Sequence, residues 1–229
     1  MQLLSAKWRT LDGLRLAGTV VLPKRPDRAI VLVHGAGVDR EEGGFFTRLA
    51  QGLGKVGVAS LRYDLRGHGE SGGRQEEVTL SAHLNDIRVA VAQVREATGV
   101  SDISLLGTSF GGGLAAYYAA KQPDELTRLV LLNPQLNYKA RYIDQKPHAV
   151  LAKITAPTLI VHGTEDTFIP IESSRAAMQQ LQVEHKLVEI DGAQHGFAVH
   201  DDPRYLNLQS QEWQTFVIQT VADWLTAAS

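Results

Sequence analysis

Apolar positions along this chain alternate between two forms, and the alternation predicts most of its architecture. Short runs at 29–33, Val58–Tyr63, 103–106, Leu129–Leu132, 158–161 and 186–190 have the length of buried strands. Longer segments at 45–56, Leu80–Thr98, 111–120, 173–181 and 211–225 carry apolar residues at helical spacing. Along Leu80–Thr98, for example, Leu84, Ile87, Val91 and Val94 share one face, and Gly99 ends the pattern. Before all of these, two extended runs at 6–10 and 14–22 flank Asp12-Gly13, a hairpin turn signal. Strands alternating with helices predict an α/β fold with a mostly parallel sheet of about eight strands and helices on both faces. The hairpin places an antiparallel edge at the amino terminus. No repeat or linker interrupts the pattern, so residues 1–229 read as a single domain. Only 135–156 lacks a clear pattern, and it reads as a short insert.

Composition changes this picture mainly by exclusion. At 229 residues, with 44% hydrophobic and 21% charged positions, the chain is long enough to bury a full core. A net charge of -2 offers no electrostatic case for nucleic acid. The absence of cysteine removes disulfides, thiolate metal sites and cysteine nucleophiles. The histidines have no paired ligand spacing, so neither a metal nor any other cofactor is expected. No run reaches the ~20 apolar residues of a membrane span, and the amino terminus lacks a signal-peptide pattern. A cytoplasmic monomer or homodimer is the expectation.

Chemistry concentrates where strands end. Gly107-Thr108-Ser109-Phe110-Gly111 joins a strand to a helix. A G-x-S-x-G segment in that setting lifts the serine on a tight turn, with glycines where a Cβ would collide. The pentapeptide alone arises by chance in roughly one such chain in ten, so its partners carry the argument. A serine hydroxyl needs a histidine to take its proton, and that histidine needs a carboxylate to orient it. Asp166 follows the strand at 158–161, and His195 lies in the loop after the strand at 186–190. The order Ser109, Asp166, His195 therefore places a catalytic set at the carboxyl ends of strands. Glu165 is a competing acid. The amides of Phe110 and Ala36 are the expected donors to an oxyanion, with that of Gly35 as the alternative. His34 is read as an anchor for its own loop. Asp64 and Arg66 fall in a glycine-rich loop that shapes the wall of the site or touches substrate.

Taken together, Gly107 to Gly111, His34 to Gly37, Asp64 to Ser71, His162 to Asp166 and Gly192 to Phe197 resemble the signatures of α/β-hydrolase serine esterases. The likeness spans nearly the whole chain. Phe45 to Ser71 and the compact size look closest to the feruloyl (cinnamoyl) esterase-like and acylglycerol lipase-like branch, of serine aminopeptidase S33 type. That resemblance implies a Ser109-His195-Asp166 triad and a cap after the sixth strand, reduced here to 135–156. It also implies a small-molecule ester or thioester substrate of small to medium acyl or aryl (hydroxycinnamate-like) character. Gly35, Tyr138, Tyr142, Phe168 and Phe197 are the expected substrate contacts.

Three other readings share some of these residues. A thioesterase or acyltransferase would use the same triad, and a non-catalytic binding protein would use the same fold. Gly111-Gly112-Gly113-Leu114-Ala115-Ala116 also matches a dinucleotide-binding fingerprint. That reading fails because the following strand ends in Leu132-Asn133-Pro134, without the carboxylate a ribose requires.

Overall fold

The computed structural model describes residues 1–136, 148–200, 202 and 205–227. Its strands are β1 (Gln2–Arg9), β2 (Arg15–Leu22), β3 (Arg28–Val33), β4 (Val58–Tyr63), β5 (Ile103–Thr108), β6 (Leu129–Leu132), β7 (Thr158–Gly163) and β8 (His185–Ile190). They form one eight-stranded sheet in the order β1-β2-β4-β3-β5-β6-β7-β8. From β4 across to β8 every pairing is parallel, whereas β2 runs antiparallel to both β1 and β4. The hairpin at Asp12-Gly13 closes the β1–β2 pair, with Arg9 opposite Arg15 and Gly13 at a φ of 81°. An antiparallel edge on a parallel sheet is thus built as the pattern predicts.

Among the described residues six α-helices accompany the sheet: α1 (Phe45–Lys55), α2 (Leu80–Thr98), α3 (Ser109–Lys121), α4 (His148–Leu151), α5 (Glu172–Met178) and α6 (Leu208–Thr226). The two-residue period of the strands sorts apolar side chains into two cores. Ile30, Leu32, Leu106, Val130, Leu159 and Val161 pack with α1 and α6, whereas Val31, Val33, Leu105, Leu131 and Ile160 pack with α2 and α3. On α1, Phe46, Leu49, Ala50 and Leu53 follow the i, i+3, i+4, i+7 spacing, and all are fully buried. Phe46, Leu49 and Leu53 each contribute about 1.5–3 kcal/mol, and Ala50 less. Thr79 caps α2 by accepting the Ala82 N–H, and Gly99 ends it at a φ of 70°.

Several element boundaries differ by a few residues from the sequence reading, and two of them are informative. β7 continues through His162 and Gly163, which pair with Glu189 and Ile190 of β8, so these residues belong to the sheet and not to the following loop. β1 starts at Gln2, four residues early, because its exposed side chains hide an edge strand from any apolar pattern. Half of the expected 135–156 insert, with Tyr138 and Tyr142, lies outside the described residues. No helix among the described residues is long and apolar enough to cross a membrane.

Candidate active site

At the carboxyl end of β5 the chain reverses into α3 through Ser109, the first helical residue, whose φ of 51° is left-handed. Only tight packing on both sides sustains such a conformation in a residue with a Cβ. A Cβ on Gly107 would lie 2.2 Å from the Gly111 oxygen, and one on Gly111 would lie 2.3 Å from the Val33 oxygen. The helix therefore presses onto the sheet, and the glycine run reads as close packing rather than as a phosphate cradle. Phe110, next along, belongs to the first turn of α3, where amides lack helical partners and the dipole favours negative charge.

The loops after β7 and β8 are laced together. Glu165 N–H donates to the Ala193 oxygen at 3.0 Å, and Gly192 N–H donates to Thr164 Oγ1 at 2.9 Å. This lacing brings Asp166 against His195. His195 Nδ1 lies 2.7 Å from Asp166 Oδ2, and its Nε2 lies 3.2 Å from Ser109 Oγ. Nδ1 carries the proton toward the carboxylate, which leaves Nε2 free to accept from the serine. Asp166 Oδ1 accepts the Phe168 and Ile169 amides, each at 2.9 Å. Burial alone would raise the Asp166 carboxyl, but hydrogen bonds from His162, His195 and the Ile169 amide outweigh it and hold the group well below the usual carboxylate range. Glu165, the competing acid, is exposed to solvent.

Two further histidines fix the surroundings. His34 donates from Nδ1 to the Gly35 oxygen at 2.7 Å and accepts the Leu65 N–H at Nε2 at 2.9 Å. It thereby ties the loop after β3 to the loop after β4, the anchoring expected of it. Burial pushes its pKa down to about 4, so it holds this role as a neutral ring. His162, fully buried, accepts from Ser174 Oγ at Nδ1 (2.7 Å) and donates from Nε2 to the Ile169 oxygen (2.8 Å). Its Nε2 is also 3.5 Å from Asp166 Oδ2, so it backs the carboxylate from the sheet side.

The loop after β3 meets the serine directly. A Cβ on Gly35 would sit 3.3 Å from Ser109 Cβ, which is why the chain passes so close there. The Gly35 N–H is engaged by Glu42 Oε2 at 2.7 Å, leaving Ala36, on the cavity wall, as the oxyanion-donor candidate of this loop. Glu42 was not singled out from sequence. Burial pushes its carboxyl up to about 7, against the lowering effect of the Gly35 amide and the nearby His195.

Asp64 and Arg66 build the wall. Asp64 accepts the Arg40 and Glu70 amides, each at 2.8 Å, and pairs with the Arg40 guanidinium. Arg66 holds Asp86 at 2.5 and 2.6 Å and Asp12 at 3.0 Å. Ser109, His195, Ala36, Phe110 and Phe168 line a common cavity of about 660 Å³. Phe168 is 76% exposed, its ring 5.4 Å from that of His195.

Phe197 is a correction to the sequence reading. It is 1% exposed and packs beside Phe45 in the core under α1 and α6, so it does not line the cavity. Gly196, at a φ of 74°, turns the chain between His195 and Phe197, and the Phe197 side chain pins the histidine loop from below. Among the described residues no group of three or more histidines, cysteines or carboxylates could hold a metal ion.

Comparison with known proteins agrees with this architecture. Residues 24–154 match the family model described as serine aminopeptidase, S33. A monoacylglycerol lipase of Mycolicibacterium smegmatis is 24% identical, with 95% of each chain covered. The esterase Est1E of Butyrivibrio proteoclasticus, solved with ferulic acid bound, is 26% identical, with a TM-score of 0.76 over 95% of this chain and all (100%) of that one. A dienelactone hydrolase from Anabaena variabilis has a TM-score of 0.78 at 22% identity over 97% of this chain and 96% of that one, a likeness of fold. With its sheet order, its serine turn and more than half its length matched, the chain belongs to the serine aminopeptidase S33 family of α/β-hydrolase enzymes.

Proposed function

We propose that this enzyme is a carboxylic ester hydrolase that works through a Ser109-His195-Asp166 triad within one α/β-hydrolase domain. The observation that carries the reading is the unbroken hydrogen-bond chain from Ser109 Oγ to His195 Nε2 (3.2 Å) and from His195 Nδ1 to Asp166 Oδ2 (2.7 Å). In the first step His195 takes the hydroxyl proton while Ser109 Oγ attacks the acyl carbon. The tetrahedral oxyanion rests on the Phe110 and Ala36 amides, at the positive end of α3. The imidazolium, stabilised by Asp166, then gives its proton to the leaving alkoxide. Water activated by His195 attacks the acyl-enzyme, and the same steps in reverse order free Ser109 and the carboxylic acid.

The cavity's size and its apolar walls at Phe110, Leu114 and Phe168 suit a small to medium acyl or aryl group. The monoacylglycerol lipase relative and the ferulic acid in Est1E support the same class. The test is a panel of p-nitrophenyl and hydroxycinnamate esters with wild type and Ser109→Ala. Steady turnover is expected from wild type, with kcat lower by on the order of 10⁶ in the variant, the scale of a lost triad serine. Equal rates from the two proteins would sink the reading. A matched thioester panel would show whether oxygen or sulfur leaving groups are preferred.

A further inference from the structure

One side chain in the cavity wall has no task in the mechanism just described. His83, in the first turn of α2, is 7% exposed and lines the same cavity as Ser109. Neither of its ring nitrogens has a hydrogen-bond partner among the described residues, and Nδ1 is completely buried. Buried polar groups almost always have partners, and with Nδ1 sealed off, Nε2 is the unpartnered nitrogen that a ligand in this cavity can reach. Its place is specific. The ring stands edge-on to Phe110, the residue after the nucleophile, with centroids 5.6 Å apart and planes at 74°. A ligand group at His83 would therefore sit about one aromatic ring beyond Phe110, in the compartment that the acyl or alcohol portion of an ester enters.

We propose that His83 is a specificity subsite for a hydroxyl group carried by the ester, a substrate assignment that rests on the hydrolase reading above. A hydroxyl can either donate or accept, so it suits whichever role the neutral imidazole presents at its accessible nitrogen. Burial, with Arg66 nearby, pushes the His83 pKa down to about 3, which keeps the ring neutral across the physiological range. A carboxylate or phosphate would fit less well, because the adjacent cation is already engaged. The Arg66 guanidinium is bound to Asp86 through Nε and Nη2 and to Asp12 through Nη1 and Nη2. Val78, Leu80 and Leu114 add apolar surface to a lining that also holds His68, Gln75, Glu76 and Thr79, and would seat the carbon frame that carries the hydroxyl.

Two matched ester pairs separate the possible sources of that hydroxyl. Methyl 3-phenylpropanoate and methyl 3-(4-hydroxyphenyl)propanoate place it on the acyl side; ethyl and 2-hydroxyethyl butanoate place it on the alcohol side. Wild type should favour the hydroxylated member of one pair by about tenfold or more in kcat/KM. In His83→Leu that ratio should fall to near one, and in His83→Gln, which keeps a donor and an acceptor, it should recover in part. The same discrimination should appear, without turnover, in calorimetric binding of the esters to Ser109→Ala and its loss in the Ser109→Ala, His83→Leu double variant. A preference that survives His83→Leu, or no preference by wild type in either pair, overturns the subsite. Absence of turnover with intact discrimination in binding would instead overturn the hydrolase reading and leave the subsite standing.

Discussion

The two ends of the cavity are built on opposite principles. At the end formed by the loops after β3, β5, β7 and β8, the side chains of the proposed triad are each held by another group: Ser109 by His195, His195 by Asp166, Asp166 by two amides. At the end formed by α2, His83 has no partner and Phe110 offers it only a ring edge. In the proposed reaction the first end is already arranged for the charge that develops, so little reorganisation remains when the barrier is crossed. The second is arranged for something that arrives with the substrate. On the two proposals together, chemistry and selection are divided across about one aromatic ring's width of the same cavity.

The largest effect that would test this division falls on the carboxylate. Asp166→Asn keeps the shape of the pocket but forces the wrong imidazole tautomer, and kcat should drop by about 10⁴. Glu165→Gln should change kcat by less than about twofold, since that side chain points to solvent. Steady-state kinetics on one ester compares them, and a reversed pair of results would move the acid to Glu165 and break the account of the ordered end.

A smaller effect tests whether Glu42 belongs to that end. Its folded-state pKa of about 7 lies above the ordinary 4.5, because burial disfavours the charge. The folded chain therefore holds this proton more tightly than the unfolded chain. Stability from this source is complete below pH 4.5 and is lost as pH rises to 7. Glu42→Gln should flatten that part of the profile, with a difference on the order of a few degrees in Tm between the two pH limits. Thermal unfolding at a series of pH values measures it; parallel curves for the two proteins would show that Glu42 is not the group responsible.

The ordered end was far more legible in the sequence than the other, for physical reasons. Ser109, Asp166 and His195 follow apolar runs, and a parallel sheet delivers the ends of such runs to one edge. His162 and Gly163 were harder to place, since a histidine and a glycine do not look like strand, and only their pairing with β8 makes them so. Phe197 misled because sequence cannot say which way a side chain turns after a glycine in the left-handed region. Glu42 sits in a one-turn 3-10 segment with no periodicity to expose it. For His83 there was a signal. It stands with Leu80, Leu84 and Ile87 on the apolar stripe of α2, where a polar residue is out of place unless something engages it. The partner of Asp86, one turn along the same helix, is Arg66, which no local pattern connects to it.

Ser109 was described above by its geometry, and that geometry has a consequence for inheritance. A φ of 51° is one that glycine adopts freely, so thermal robustness alone would favour replacing the serine. A lineage that no longer needed turnover should drift toward glycine at this position and become more heat-resistant as it does. With Ser109 as the proposed nucleophile, a hydroxyl on so awkward a turn exchanges durability for reactivity at a single position.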